Sequence, residues 1–332
     1  MIITRRAYPR VGLIGNPSDG YFGRTISFTF QNFWAEVLLY ESPELHILPS
    51  ERDHSVFTDM VHLVEDVRDF GYYGGIRLLK AAVKTFYEYC VSNDIRLPGK
   101  NFTLRYTSNI PHLVGLGGSS AIIKACMDAM MAFYDVRIPE QVYPNLVLSV
   151  EKKELNISAG LQDRVAQVYG GLVYMDFNRE LMETEGHGIY ERLDPGLLPK
   201  LYVAYVRNRK IGSEVFHNNI RERFDRGEKE VVDAMKFWAQ ITDRFRECLI
   251  KKKKKELPEL LNMNFDRRRT LYKLSQRDID MVEGARSVGA SAKYTGSGGA
   301  VVGTYANNTM YRDLQKTVER IGDIELLKPE IV

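Results

Sequence analysis

An α+β fold in two domains is what this sequence predicts, and three observations lead there. Strand-like segments crowd the first third, helical and strand patterns then mix without regular βαβα alternation, and a polar stretch at 178–200 separates two apolar regions. The chain is 332 residues, long enough for two cores. Gly186, Gly188, Pro195, Gly196 and Pro199 punctuate the polar stretch, so the domains are expected at 1–195 and 196–332.

Residues 10–14, 25–39 and 46–48 read as strands, the second for its β-branched and aromatic content. Helices are expected over 76–90 and 122–134 with a strand at 102–106 between them, then a helix at 143–155 and a strand at 172–177. The second domain opens on 201–206, a continuous apolar run suited to a buried strand. Val231, Met235, Trp238, Ile241 and Phe245 recur on one helical face and form a core stripe. A helix at 278–288, a glycine loop at 293–299 and a strand at 300–305 close the pattern.

Composition narrows the function. With 44% hydrophobic and 27% charged residues the chain is an ordinary globular sequence. Its 46 basic against 43 acidic residues leave +3, too mild a balance for a nucleic-acid binder. The lysine run at 251–255 follows an amphipathic pattern and reads as a solvated helix end. Cys90, Cys126 and Cys248 lie far apart among apolar helical residues, which suggests neither a disulfide framework nor a zinc site and fits a reducing cytoplasm. The first twenty residues lack the apolar core of a leader, and no apolar run reaches membrane-spanning length. The expectation is a cytoplasmic monomer or homodimer with no nucleic-acid or membrane partner.

Residues 111–121, PHLVGLGGSSA, are the most informative stretch. Ile122, Cys126, Ala129, Met130 and Phe133 recur at helical spacing after it, so a helix begins near the serine pair and turns its first N–H groups toward the loop. Those groups, with the helix dipole behind them, suit an anion, and glycine lets a phosphate approach the main chain. Read alone, the stretch is equally a glycine turn capped by Ser119 or Ser120. It is not a P-loop, because Lys124 falls inside the helix.

Three separated motifs decide between these readings: PRVGLIGNPSD at 9–19, PHLVGLGGSSA at 111–121 and KYTGSGG at 293–299. In this order they resemble the signature of the GHMP small-molecule kinases. Further segments, VGLIGNPSDGYFGRTISF at 11–28, GYYGGIRLL at 71–79, GLQDRVAQVYGGLVYMDF at 160–177 and NMNFDRRR at 262–269, are similar to the plant-type glucuronokinases within that superfamily. The resemblance implies an S5-domain-2-like N-terminal domain, a ferredoxin-like C-terminal α/β sandwich and an active site between them. It implies ATP-dependent phosphorylation of the anomeric hydroxyl of D-glucuronate, a small sugar acid, with Mg²⁺ as the metal.

Site roles follow from the same resemblance. Gly115, Leu116, Gly117, Gly118, Ser119, Ser120 and Ala121 would cradle the nucleotide phosphates, and Thr295, Gly296, Ser297, Gly298 and Gly299 would close over them. Ser119 or Ser120, with Glu151, would hold Mg²⁺, a hydroxyl and carboxylate set that suits a hard cation. Without the resemblance Glu151 reads as an exposed helix carboxylate beside Lys152 and Lys153. Asp163 matches the position that takes the acceptor proton, Arg10 the cation that supports it, and Asp19 a ligand of the sugar hydroxyls. A uronic acid also needs a cation for its carboxylate, and Arg24, Arg77 and Arg164 are the candidates. Asn16 and Pro17 stand where many sugar kinases carry Glu and His, and Gly118 replaces the first serine of the usual triplet. Both departures look glucuronokinase-like and weaken a galactokinase reading. The alternatives are another acceptor (galactose, a heptose phosphate, fucose or mevalonate) or a sensor without turnover, which the presence of Asp163, Glu151 and the serine pair argues against.

Overall fold

The computed structural model describes residues 1–50, 53, 58–61, 63–65, 74–207 and 220–332. Residues 71–73 of the 71–79 segment lie outside that set. The chain divides into two compact units: Met1–Pro9, Phe33–Ile110 and Gly117–Tyr169 in the first, and Arg10–Asn32, Pro111–Leu116 and Gly170–Val332 in the second.

The first unit is a four-stranded sheet with helices on it. Strand Ile2–Ala7 runs antiparallel to Ala35–Ser42, which pairs antiparallel with Asn101–Ser108, and His46–Ile47 joins the far edge in parallel. Inward positions of Ala35–Ser42 are buried and alternate with partly exposed ones, the period-two pattern of a sheet covered on one face. The cover is the helix Gly118–Tyr134, which packs on the two N-terminal strands and against the helix Gly75–Ser92. Its apolar stripe is the expected one, with Ile122, Cys126, Ala129, Met130 and Phe133 all buried. Phe133 meets Phe102 of the sheet edge-on at 5.7 Å.

Two antiparallel sheets make up the second unit. One orders Arg10–Ile14, Arg24–Thr29, Leu172–Asp176 and Ile189–Leu193; the other orders Lys293–Tyr294, Ala300–Thr304, Leu201–Val206 and Ile324–Leu327. The stripe from Val231 to Phe245 lies on the helix Lys229–Ile250, which packs on Arg24–Thr29 and on the helix Leu257–Leu271. Trp238, wholly buried, donates its indole N–H to the Asn264 carbonyl at 3.1 Å, so the largest core side chain keeps its one donor satisfied.

Several elements differ from the pattern read in the sequence. The 25–39 stretch is two strands, Arg24–Thr29 and Ala35–Ser42, in different sheets; Gln31 and Asn32 break it, bonded instead to Glu330 and Lys328 near the C-terminus. The 143–155 helix is α-helical over Tyr143–Ser149 and widens to a π turn over Val150–Glu154. The polar 178–200 stretch holds a helix, Arg179–Thr184, capped by the Asn178 side chain, and the edge strand Ile189–Leu193. Helices Gln162–Tyr169, Leu257–Leu271 and Asn308–Ile321 and the strand Ile2–Ala7 lie outside the predicted elements. All three cysteines are buried free thiols, and burial with the Asp128 charge pushes Cys126 up to about 12. Among the described residues no helix is long and apolar enough to cross a membrane.

Candidate active site

The strand Arg10–Ile14 is buried along its whole length, and its N–H groups reach both glycine motifs. Arg10 N donates to the Leu116 carbonyl at 3.0 Å, and Gly12 N to the Thr295 carbonyl at 2.9 Å. The Arg10 side chain, 6% exposed, repeats the connection: Nη1 donates to the Gly115 carbonyl at 2.6 Å and to that of Thr295 at 3.3 Å. A guanidinium has five donors in a rigid fork, so one side chain pins two loops. Thr295 Oγ1 also reaches the Gly115 carbonyl, at 3.3 Å. Gly296 leaves no room for a side chain, since a Cβ there would lie 2.6 Å from the Gly115 carbonyl oxygen and 3.0 Å from the Arg10 guanidinium. The far end of this loop is tied by Gly299 N, which donates to Asp278 Oδ1 at 3.0 Å.

Behind that strand, Lys293 is 1% exposed and donates to the Gly12 carbonyl at 2.7 Å and to Asn16 Oδ1. Burial, with the Arg268 and Arg10 charges nearby, pulls its ammonium well below the usual lysine value. Asn264 completes the brace, accepting from Gly15 N at 2.7 Å and donating to the Asn16 carbonyl at 3.1 Å. Asp19 sits half-buried in the short 3₁₀ turn Ser18–Tyr21. Arg24 is held by two carboxylates, Asp176 at 2.7 Å and Asp243 at 2.9 Å.

In the first unit the helix Gly118–Tyr134 starts from Gly117, which adopts φ 74° and carries no side-chain cap. A left-handed start suits glycine, and no side chain of the cap residue closes the first turn. The serine-capped turn is therefore absent: Ser120 Oγ, buried, donates to the Gly117 carbonyl at 3.0 Å, while Ser119 is half-exposed. Gln167 also donates to that carbonyl, at 2.8 Å, and to the Tyr8 carbonyl at 3.1 Å.

Glu151 is 3% exposed, which rules out the solvated helix carboxylate. Its partner is Arg164, equally buried, whose Nη2 donates to Glu151 Oε2 and whose Nη1 donates to the Gly160 carbonyl at 2.8 Å. The same guanidinium lies 3.3 Å from Asp163 Oδ2. Arg164 thus lies between the two acidic residues and joins them through one guanidinium. Arg77 stands in the first turn of the helix Gly75–Ser92.

Arg268, Lys293, Gln167 and Asn264 were not among the residues singled out from sequence. Arg268 had a readable signal: Leu257, Leu261, Asn264, Phe265, Arg268 and Leu271 share the buried face of one helix, so an arginine stands where the stripe calls for an apolar residue. The other three had none of that kind, since their partners are polar groups on distant segments.

Comparison with known proteins fits this arrangement. Residues 77–171 match the model of the GHMP kinases N terminal domain. Glucuronokinase 1 of Arabidopsis thaliana is 49% identical over 306 residues, covering 90% of this chain and 84% of the relative, and Probable glucuronokinase 2 of the same plant is 48% identical over 91% and 84%. The crystal structure of Lactococcus lactis galactokinase complexed with galactose superposes with a TM-score of 0.77 at 15% identity, covering 99% of this chain and 93% of that one. The chain belongs to the GHMP kinases, a family of ATP-dependent small-molecule kinases. Within that family it is a sugar kinase that falls with the glucuronokinases.

Proposed function

We propose that the protein transfers the γ-phosphoryl group of ATP to the anomeric hydroxyl of D-glucuronate, giving glucuronate 1-phosphate and ADP. The near-full-length match to the two Arabidopsis glucuronokinases carries the substrate. The backbone amides of Gly115 to Ala121 and of Thr295 to Gly299 form the phosphate cradle, and Arg10 holds its two loops together. Phosphoryl transfer asks little covalent chemistry of the protein, so a preorganised cradle supplies much of what is needed. Asp163 accepts the proton of the attacking hydroxyl, and Arg164, 3.3 Å from its Oδ2, holds the carboxylate in position.

The donor kinds present fit Mg²⁺: a serine hydroxyl and the buried Glu151 carboxylate are hard oxygen ligands. Ser119 or Ser120 supplies the hydroxyl, the latter with its Oγ now on the Gly117 carbonyl. When bound, the metal neutralises charge on the nucleotide phosphates. Asp19 accepts hydrogen bonds from the sugar hydroxyls. The division into domains at 1–195 and 196–332, a cytoplasmic location and a monomeric or homodimeric state belong to the same reading, with the buried free thiols in support of a reducing compartment.

Incubation with Mg²⁺-ATP and a panel of uronic acids, hexoses, a heptose phosphate and mevalonate, followed by ADP release, tests this. Turnover is expected with glucuronate, and turnover of galactose or mevalonate in its absence would overturn the assignment.

A further inference from the structure

Of the three arginines considered for the substrate carboxylate, Arg77 stands on the helix Gly75–Ser92 and the other two face carboxylates of the chain itself. Arg24 already faces Asp176 and Asp243, and Arg164 faces Glu151 and Asp163. Arg268 differs from both. It is 7% exposed, yet among the described residues its guanidinium makes no ion pair within 4.0 Å and one hydrogen bond, from Nη1 to the Gly296 carbonyl at 2.9 Å. Its Nε is buried with no hydrogen-bond partner. Two rings hold the guanidinium, Tyr272 at 5.1 Å and Tyr294 at 5.0 Å from their centroids. A buried charge is ordinarily paired or fully hydrogen-bonded, because leaving water costs several kcal/mol per ion. Here no carboxylate of the described residues stands within ion-pair distance, and Asp278 and Asp19 act on the charge only from further off.

The neighbours indicate its nature. Arg268 lies within electrostatic range of Lys293, of Asp278 and of Asp19, and its partner Tyr272 lies within range of Tyr21 and of Asp19 itself. Asp19 would repel a triphosphate far more than a monoanionic sugar, whose hydroxyls it can accept from. With Nη1 on the Gly296 carbonyl and Nε without a partner, guanidinium N–H groups remain for a ligand, and a fork of such donors matches the two oxygens of a carboxylate.

We propose that Arg268 is the specificity-determining residue for an acidic sugar, its guanidinium edge gripping the C6 carboxylate between the Asp19 turn and the second glycine loop. This rests on the glucuronate reading above. Loss of the grip removes binding to one substituent and leaves the chemistry at the anomeric centre in place.

The test is a cycle of two enzymes and two substrates. Wild type and Arg268→Gln are assayed with glucuronate and with glucuronamide, which keeps every hydroxyl and lacks the charge, and the KM for ATP is measured in each. Wild type should prefer glucuronate by about 100-fold in kcat/KM, and R268Q should bring the ratio to within about threefold at an unchanged KM for ATP. Arg268→Lys, which keeps the charge and loses the fork, should lie between and serves where R268Q folds poorly. A preference that persists in R268Q, or a wild-type ratio near one, would overturn the proposal. A defect confined to the KM for ATP would do the same and assign the arginine to a phosphate. Absence of glucuronate turnover by wild type, with another sugar phosphorylated, would instead sink the underlying assignment and this proposal with it.

Discussion

Arg10, Lys293 and Arg164 are three buried basic side chains, and each holds other residues in place. Lys293 donates to two buried acceptors, so Lys293→Met leaves both without a donor and should cost about 2–4 kcal/mol of stability, read from denaturant unfolding. The pH dependence has a definite sign. Its folded pKa is depressed below the unfolded value, so between the two the unfolded chain binds more protons and stability rises with pH. The stability advantage of wild type over K293M should therefore grow as pH climbs toward ~10.4, and a difference that shrinks over that range would contradict the burial argument. Asp163→Asn should lower kcat by at least about 100-fold and leave nucleotide affinity, measured by titration calorimetry, within a few-fold of wild type. Arg10, Asp163 and Glu151 were legible as types in motifs. That Arg164 joins Asp163 to Glu151 was not, because thirteen residues of sequence separation carry no sign of a contact across a turn.

At the scale of elements, the glycine loops and the helix start were readable because each follows from a local rule. Residues 118–134 show an unbroken apolar stripe behind a glycine run, and the helix begins at Gly118 as that pattern requires. The helix Leu257–Leu271 escaped notice since its polar opening follows five lysines, Pro258 occupies its first turn, and Asn264 and Arg268 interrupt its buried face. Its tertiary neighbours decide its stability in place of its own pattern. Gly296→Ala tests how tightly the loops fit: the added methyl meets the Gly115 carbonyl and the Arg10 guanidinium, so kcat/KM should fall by about 10-fold or more with a modest change in melting temperature. Activity equal to wild type would mean that the two loops part freely.

For the whole molecule, the α+β class was legible in the mixture of periods, and the three-sheet arrangement was not. Strand order depends on pairings such as Thr25 with Met175, 150 residues apart, which no local period encodes. The run 25–39 illustrates this: its β-branched residues announce strand, while the sheet each half joins is chosen by partners elsewhere. The family match and the motif order supply what periodicity leaves open, and together they define a kinase whose glycine loops are braced by buried polar side chains. The most direct measurement is the structure of the product. With wild-type enzyme, Mg²⁺-ATP and D-glucuronate, ³¹P and ¹H NMR should show one acid-labile phosphomonoester coupled to H-1 of the sugar. Phosphate on any other carbon, or ADP released without a phosphorylated uronic acid, would contradict the assignment.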